Sequence, residues 1–322
     1  MSSCRLDKKT SERLKRHASI AAIGVASFLS LLKLFAFLAS GSLSVLSSVI
    51  DSLSDVLGSV ITFIAVKYSM RPASDLHRYG YGKAEAISAL LQAFFIACSG
   101  LYVIYDAVIR FFHPRILDDT PLAIIIMVIS LICTFVLILY QKHIANLTQS
   151  QAINADSAHY IVDILTNLSI ILSLGVVKFF DFYWFDTLTA AGIAIYLLFS
   201  AVSLCKDSFM LLLDHELDDD IRQNLKDIIK QHPFVHGVHD IRTRSLGNEY
   251  MLELHLELDG RLSLYEAHHL SDKVESSILQ VYPNAQIIIH QDPAGIDEER
   301  LDQKLVQTAK RKSLHQPNKK IP

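Results

Sequence analysis

Long apolar stretches alternate with short polar ones through the first two thirds of the chain. A transmembrane α-helix needs about 20 consecutive, mostly apolar residues to cross the hydrocarbon core of a bilayer. Six stretches reach this length: residues 18–40, 43–68, 84–112, 121–140, 151–177 and 184–205. The pattern therefore predicts a basic segment over residues 1–17, followed by a six-helix transmembrane domain over residues 18–208.

The pattern changes after the sixth apolar stretch, where charged residues return. Residues 250–258 alternate between apolar and polar side chains, as in a strand with one buried face. Amphipathic helical spacing precedes this strand from Asp214 onward and follows it from Leu264. The αββαβ order predicts a small α+β cytoplasmic domain over residues 209–293, and the polar tail, residues 294–322, is predicted to be disordered.

Positive charge in the short connecting segments predicts the orientation of the chain in the membrane. Lys and Arg concentrate in the N-terminal segment, between the second and third stretches, and between the fourth and fifth. Cytoplasmic loops carry an excess of these two residue types. We therefore expect both termini to lie in the cytoplasm.

Composition narrows the function classes. The 322 residues are 51% hydrophobic and carry a net charge of −3. These values predict a protein embedded in a lipid bilayer and argue against a nucleic-acid partner. The four cysteines are widely separated and form no Cys-x-x-Cys pair, so neither a disulfide framework nor a thiolate zinc site is predicted.

Four ionisable side chains interrupt two of the apolar stretches at helical spacing. Asp51 and Asp55 lie four residues apart in the second stretch, and His159 and Asp163 lie four residues apart in the fifth. Residues at this spacing share one face of a helix. A single aspartate at the bilayer centre costs about 2.5–3.5 kcal/mol on insertion scales, so another interaction must offset its burial.

Three carboxylates and one imidazole facing inward from two helices match the ligands of a tetrahedral divalent-metal site. This donor set suits zinc, ferrous iron, manganese or cadmium, and the lack of thiolate and thioether ligands argues against copper(I). Because metal and protons compete for the same ligands, metal release can be coupled to proton uptake. The alternative interpretation is a buried polar network that holds helices together, with Lys33 as a counter-ion.

The chain resembles the cation diffusion facilitator family through the motifs D-x-x-x-D in the second stretch and H-x-x-x-D in the fifth. Within that family it is similar to the bacterial zinc and ferrous-iron efflux branch. The resemblance covers about residues 10–293 and includes the stretches 41–55, 82–85, 149–163 and 290–293. It implies a homodimer in a bacterial inner membrane that exchanges cytoplasmic metal for external protons by alternating access, and a ferredoxin-like fold for the cytoplasmic domain.

Further candidate ligands occur in the predicted cytoplasmic domain. Taken singly, each of them is more often an exposed surface residue. The resemblance implies that these positions bind two metal ions and stabilise the dimer, with Zn²⁺ or Fe²⁺ as a structural ion. The residues are His239, His255, His268, His290 and Asp292.

The loop between the second and third stretches departs from the family pattern. Close relatives carry an Asp/His/His metal site there, and in this chain only His77 keeps the residue type. Ser74 stands in place of the aspartate and Tyr81 in place of the second histidine. Asp75 can substitute only in part, so we expect this loop site to be weak or absent.

Lys83 and Asp214 lie where the predicted helices meet the cytoplasm. By the positive-inside rule alone, Lys83 is an ordinary loop residue. The family resemblance implies that the two residues form a charge interlock at the dimer hinge.

Three other function classes compete with a proton-coupled metal exporter. A membrane-anchored metal sensor needs no ligands inside the bilayer. An intramembrane metalloenzyme usually carries H-E-x-x-H, and the one His-Glu pair, His215-Glu216, lacks the second histidine. A carrier of organic solutes is separated from the exporter by metal-stimulated transport. The chain is therefore predicted to be a transporter and not an enzyme, with zinc and ferrous iron both open as substrates because they accept the same ligands.

Overall fold

A computed structural model of the chain describes residues 8–40, 43–112, 121–180, 184–247, 249–296, 300–304 and 307. The chain divides into two compact units, Met1–Leu213 and Asp214–Pro322. The elements of the first unit are all helices, and the second unit combines helices with a sheet. The change of sequence pattern after the sixth apolar stretch therefore coincides with the boundary between two structural units.

The described part of the first unit forms six long helices: α1 (Lys8–Ser40), α2 (Leu43–Ser69), α3 (Ala84–Phe112), α4 (Pro121–Thr148), α5 (Gln151–Phe180) and α6 (Trp184–Leu212). Each helix contains one of the predicted apolar stretches. Within the described residues, five helices, α1 to α4 and α6, are long and apolar enough to cross a membrane. That α5, which carries two of the predicted metal ligands, also crosses the membrane stays a prediction.

α4 continues beyond its apolar stretch, which ends at residue 140. Gln141 is fully buried, whereas the next two residues, Lys142 and His143, are exposed. The helix therefore stays amphipathic after its apolar stretch and needs no break there. It ends before Gln149, whose φ of 54° is incompatible with a right-handed helix.

Small side chains line the contacts among α3, α5 and α6. Ala89 and Ala93 of α3 are buried in one cluster with Ala155 of α5 and Ala201 of α6. Small residues let helices approach closely in a membrane, where association depends on packing. Large apolar side chains such as that of Phe199, which is 75% exposed, instead cover the outside of this unit, where lipid is expected.

A buried ion pair joins helix ends near the α2–α3 loop. Lys15 Nζ on α1 lies 2.9 Å from Glu85 Oε1 on α3, and both side chains are at most 5% exposed. Glu85 also accepts hydrogen bonds from Ser69 at the end of α2 and from Ser150 directly before α5. Because buried charges are tolerated when they are paired and fully hydrogen-bonded, this cluster can connect α1 to the adjacent ends of α2, α3 and α5.

The second unit contains α7 (Asp219–Lys230), β1 (Gly237–Ser245), β2 (Tyr250–Leu258), α8 (Leu264–Val281) and β3 (Ala285–Pro293). The predicted α+β order is confirmed. The sheet has the strand order β1-β2-β3, in which β1 is antiparallel and β3 parallel to the central strand.

One face of β2 forms the core of the second unit. Leu252, Leu254 and Leu256 are buried and pack in one cluster with Ile229 of α7 and Ile278 of α8. Because successive side chains of a strand point to opposite faces, the polar residues of β2 lie together on the other face. The candidate histidine of this strand is one of them.

The tail differs from the expected disorder at residues 300–304. The backbone N–H groups of Leu301 and Asp302 donate to the Asp240 carboxylate at 2.8 and 3.0 Å, and Asp302 pairs with Arg222 at 2.9 Å. Burial favours a higher pKa for Asp240, but the two N–H donors outweigh it and hold the pKa below its usual value. Amino-acid composition does not predict that residues 300–304 are ordered, because a few specific polar contacts rather than apolar burial hold them in place.

Candidate metal sites

Asp55, His159 and Asp163 lie together between α2 and α5. His159 Nε2 is 3.1 Å from Asp55 Oδ1, and the two side chains are only 13% and 16% exposed. One ligand atom from each of the three residues lies within 4.8 Å of the others. The second and fifth apolar stretches thus contribute neighbouring ligands to one small volume.

The fourth predicted ligand, Asp51, is exposed and lies outside this group of three among the described residues. It precedes Asp55 by one helical turn, which corresponds to about 6 Å along the helix axis. The part that Asp51 plays in a four-ligand site therefore stays a prediction.

The chemistry of the group suits a divalent cation. His159 Nδ1 is buried and has no hydrogen-bond partner among the described residues. A buried polar atom without a partner is costly, whereas an imidazole beside two carboxylates is a favourable ligand set for zinc or ferrous iron. The residues present therefore fit the ion that the sequence predicts.

Lys33, the counter-ion of the alternative interpretation, donates from Nζ to Ser52 Oγ at 2.6 Å. This bond links α1 to the turn of α2 that carries Asp51. A hydrogen bond thus connects α1 and α2 beside the ligand group. The positive charge of Lys33 lies next to Asp51, the most exposed of the four predicted ligands.

Sequence reasoning missed Asp156, a carboxylate of α5 that is only 1% exposed. Its Oδ2 accepts a hydrogen bond from Gln141 Nε2 of α4 at 2.6 Å. Its Oδ1 accepts from Gln92 Nε2 of α3 at 3.3 Å and from the hydroxyl groups of Ser59 and Thr62 on α2 at 3.5 and 3.4 Å. One carboxylate therefore connects three other helices to the helix that carries His159 and Asp163.

A sequence signal for Asp156 did exist. It lies three residues before His159 and seven before Asp163, which places it on the same side of the helix as the ligands. The hydroxyl group of Tyr160, one turn further along α5, lies 2.6 Å from Ser59 Oγ. The Asp156 network, comprising Asp156, Ser59, Thr62, Gln92, Gln141 and Tyr160, therefore supports the ligand group from adjacent turns of α2 and α5.

A second group of ligands lies on the polar face of the sheet. The strand register places His239 of β1 opposite His255 of β2, which in turn lies opposite His290 of β3. Asp292 Oδ2 is 2.8 Å from His255 Nδ1 and 3.8 Å from His239 Nε2, and Asp292 Oδ1 is 3.1 Å from His290 Nε2. The Asp292 carboxylate thus lies between three imidazoles.

Three of these residues, His239, His255 and Asp292, offer ligand atoms that lie within 4.8 Å of one another. Their mixture of nitrogen and oxygen donors fits zinc or ferrous iron. His290 joins the group through Asp292, whereas His268 on α8 is 69% exposed and lies 3.7 Å from Asp272. A role of His268 at this site stays a prediction.

The α2–α3 loop contains hydrogen bonds at the positions of the predicted weak loop site. Ser74 Oγ lies 2.9 Å from Tyr81 Oη and accepts a hydrogen bond from the His77 backbone N–H at 3.2 Å. The rings of His77 and Tyr81 are 4.5 Å apart between centroids. Asp75 is exposed, and among the described residues neither it nor His77 belongs to a group with metal-ligand spacing.

The predicted charge interlock between Lys83 and Asp214 stays a prediction. Lys83 lies directly before α3 in the first unit, and Asp214 is the first residue of the second unit. Asp214 Oδ2 accepts a hydrogen bond from Arg244 of β1 at 3.1 Å.

Two family models match the chain in succession. The model of the cation efflux transmembrane domain matches residues 19–213. The model of the cation efflux protein cytoplasmic domain matches residues 217–294. The boundary between the two matches lies within a few residues of the boundary between the structural units.

Curated relatives match over most of the chain. The cation-efflux pump FieF of Salmonella choleraesuis is 40% identical over 288 residues, covering 89% of this chain and 96% of the relative. The FieF pump of Escherichia coli O139:H28 is 39% identical over 284 residues, covering 88% and 94%. Among solved structures, the metal-bound C-terminal domain of the CzcD transporter from Thermotoga maritima is 30% identical, covering 24% of this chain and 93% of that chain with a TM-score of 0.24.

The predicted class of protein is confirmed by the family models and the curated relatives, which are efflux proteins and not enzymes. Its helices are those of a multi-pass membrane protein. The chain therefore belongs to the cation diffusion facilitator family, as a cation efflux transporter similar to the FieF pumps.

Proposed function

We propose that this transporter exports divalent metal cations from the cytoplasm in exchange for protons. Zinc and ferrous iron are the proposed substrates, with cadmium and manganese as further candidates, because all four accept nitrogen and oxygen ligands. The observation that carries the proposal is the group formed by Asp55, His159 and Asp163 between two long helices. Ionisable residues inside transmembrane segments commonly mark ion pathways.

Proton coupling follows from competition for the same atoms. A divalent cation needs deprotonated carboxylates and a neutral imidazole nitrogen, and each of these groups binds a proton once the metal has left. Moving one elementary charge across the membrane is worth about 2.3 kcal/mol per 100 mV. Protons that enter a cell with a negative interior therefore offset the cost of the dication that leaves.

The proposed assembly is a homodimer in a bacterial inner membrane with both termini in the cytoplasm. The basic N-terminal segment, the basic loop between α2 and α3 and Lys142 toward the end of α4 support this orientation. In the second unit, His239, His255 and Asp292 are proposed to hold Zn²⁺ or Fe²⁺ as a structural ion that stabilises the dimer. Lys83 and Asp214 are proposed to form the charge interlock between protomers.

The test is uptake into proteoliposomes of Zn²⁺, Fe²⁺, Cd²⁺ and Mn²⁺ under an imposed pH gradient. We expect transport that depends on the gradient and is abolished in Asp55→Ala. Asp207→Ala is the matched control, because it removes an exposed carboxylate of α6 outside the ligand group.

Equal transport by the wild type and Asp55→Ala would overturn the assignment of the intramembrane group as the transport site. Absence of transport from both, with well-folded protein, would favour the alternative function of a membrane-anchored metal sensor, in which the second unit is the functional centre.

A further inference from the structure

The side chain of Arg300 contacts a carboxylate beside the sheet's ligand group. Arg300 Nη2 lies 2.7 Å from Glu257 Oε1, and the two side chains are 29% and 15% exposed. The same Glu257 Oε1 lies 3.8 Å from His239 Nδ1, which is beyond hydrogen-bond length. Arg300 therefore holds the carboxylate that faces this histidine.

The two ring nitrogens of His239 face different carboxylates. Nε2 faces Asp292 at 3.8 Å, on the side of the ligand group, and Nδ1 faces Glu257. A histidine that binds a metal through one nitrogen almost always donates the other N–H to a carboxylate, a backbone carbonyl or water, which orients the ring and raises its basicity. Glu257 occupies the position of that partner.

The backbone of β1 leaves room for the Glu257 carboxylate. Gly237 pairs with Glu257 in the strand register, and a Cβ atom at position 237 would lie 2.8 Å from Glu257 Oε2. Real Cβ atoms essentially never approach another atom so closely, so a side chain at this position would displace the carboxylate. The missing side chain at Gly237 thus leaves the space in which the Glu257 carboxylate lies.

The segment that carries Arg300 is docked next to the same histidine. Asp240, which follows His239 in the chain, accepts the N–H groups of Leu301 and Asp302. Asp240 has a φ of 49°, and the register of β1 shifts between His239 and Arg242. The irregular part of β1, which begins at His239, therefore also binds Leu301 and Asp302 of the tail.

We infer that Glu257 is a positioning residue for His239 and that Arg300 competes with His239 for it. Docking of residues 300–304 then weakens metal binding at the sheet, and metal binding releases Arg300. Two physical effects act in the same direction: Glu257 moves toward the His239 N–H when a metal is bound, and the dication repels the nearby guanidinium group. The inference rests on the proposed role of His239, His255 and Asp292 as a metal site.

The first test measures Zn²⁺ affinity by chelator competition on the full-length protein in detergent, in an Asp55→Asn background that impairs the intramembrane group. We expect Arg300→Gln to tighten binding about tenfold and Glu257→Gln to weaken it about 10- to 100-fold, the range found when the carboxylate partner of a metal-binding histidine is lost. Arg300→Gln should have no further effect once Glu257 is replaced. Arg261→Gln is the charge-matched control, because the carboxylate that Arg261 pairs with is Asp259 and not Glu257.

A fall in affinity, or no change, in Arg300→Gln would overturn the competition. An equal gain in the presence and absence of Glu257 would also overturn it, because the effect would then be charge repulsion alone. The Zn²⁺ affinity of Asp292→Ala distinguishes a failure of this inference from a failure of the proposed metal site. If Asp292→Ala leaves the Zn²⁺ affinity unchanged, the metal site itself is wrong, and if it removes binding while Arg300→Gln is inert, only the inference fails.

The second test follows the tail directly by trypsin cleavage after Lys304, quantified by mass spectrometry. We expect Zn²⁺ to accelerate cleavage in the wild type, and we expect Glu257→Gln to be cleaved rapidly with or without Zn²⁺. Protection of Lys304 by Zn²⁺, or a cleavage rate independent of Zn²⁺ in the wild type, would overturn the release of Arg300.

Discussion

His159 Nε2 on α5 lies 3.1 Å from Asp55 Oδ1 on α2, so the one nitrogen ligand of the intramembrane group is directly paired with an oxygen ligand. Nitrogen ligands favour zinc and other late first-row metals, whereas sites made only of oxygen favour manganese and magnesium. The imidazole is therefore the residue of this group whose chemistry bears most on metal choice.

Replacing this nitrogen should change the selectivity of transport. We expect His159→Asp to raise the ratio of Mn²⁺ to Zn²⁺ uptake about tenfold, equivalent to about 1.4 kcal/mol, because the variant offers oxygen ligands alone. Parallel uptake assays with both ions in proteoliposomes measure the ratio. His143→Asp on the exposed side of α4 makes the same substitution away from the group and should leave the ratio unchanged. An unchanged ratio in His159→Asp would contradict a role of the imidazole in metal choice.

Asp156 provides a test of how the ligand group is supported. In Asp156→Asn one acceptor oxygen becomes an amide N–H₂, so the groups that donate on that side, either Gln141 Nε2 or Gln92 Nε2, Ser59 and Thr62, must turn to accept or lose their partner. A buried donor left without an acceptor costs about 1–3 kcal/mol, so we expect a melting temperature several degrees lower and a reduced transport rate. Thermal melting in detergent measures the first effect, and an unchanged melting temperature would show that the network does not support the bundle.

The parts of the site that could be predicted from sequence are those governed by spacing within one helix. The four-residue intervals Asp51–Asp55 and His159–Asp163 identify ligand faces without any knowledge of packing. The approach of α2 to α5 depends on how all six helices pack, and periodicity contains no information about that. Spacing places Asp156 on the ligand side of α5, but its role was missed because its partners are amides and hydroxyl groups on three other helices.

The sheet shows a similar limit. Alternation predicts that His255 lies on the polar face of β2, but only the strand register places it between His239 and His290. Residues 300–304 were predicted to be disordered because their composition is polar. Their docking depends on Asp240, whose carboxylate accepts two backbone N–H groups across about 60 residues of sequence.

The N-terminus of α8 should make the stability of the second unit depend on pH. The Ser263 hydroxyl and the Ser263 backbone N–H donate to Glu266, and these bonds hold the pKa of Glu266 below its usual value. A lowered folded-state pKa adds stability above the unfolded-state value of 4.5, and that stability is lost as the pH falls through the folded-state pKa.

The pH effect is measured as the melting temperature of the full-length protein between pH 7 and acidic conditions. We expect Ser263→Ala to lower the melting temperature at pH 7, where Glu266 is ionised, and to narrow its difference from the wild type as Glu266 becomes protonated. A difference that stays constant with pH would contradict the assignment to this capping box.

Substitutions in the α2–α3 loop should add a metal site to the protein. Ser74 and Tyr81 are within hydrogen-bond distance of each other and next to His77, so ligands at both positions lie within reach of one ion. We expect the double variant Ser74→Asp/Tyr81→His to bind about one additional Zn²⁺ per protomer, measured by equilibrium dialysis and elemental analysis. Tyr81→Phe, which removes the hydrogen bond and adds no ligand, should leave the metal content unchanged. If His77→Ala instead removes one Zn²⁺ from the otherwise unaltered chain, the loop already holds a metal and its predicted weakness is wrong.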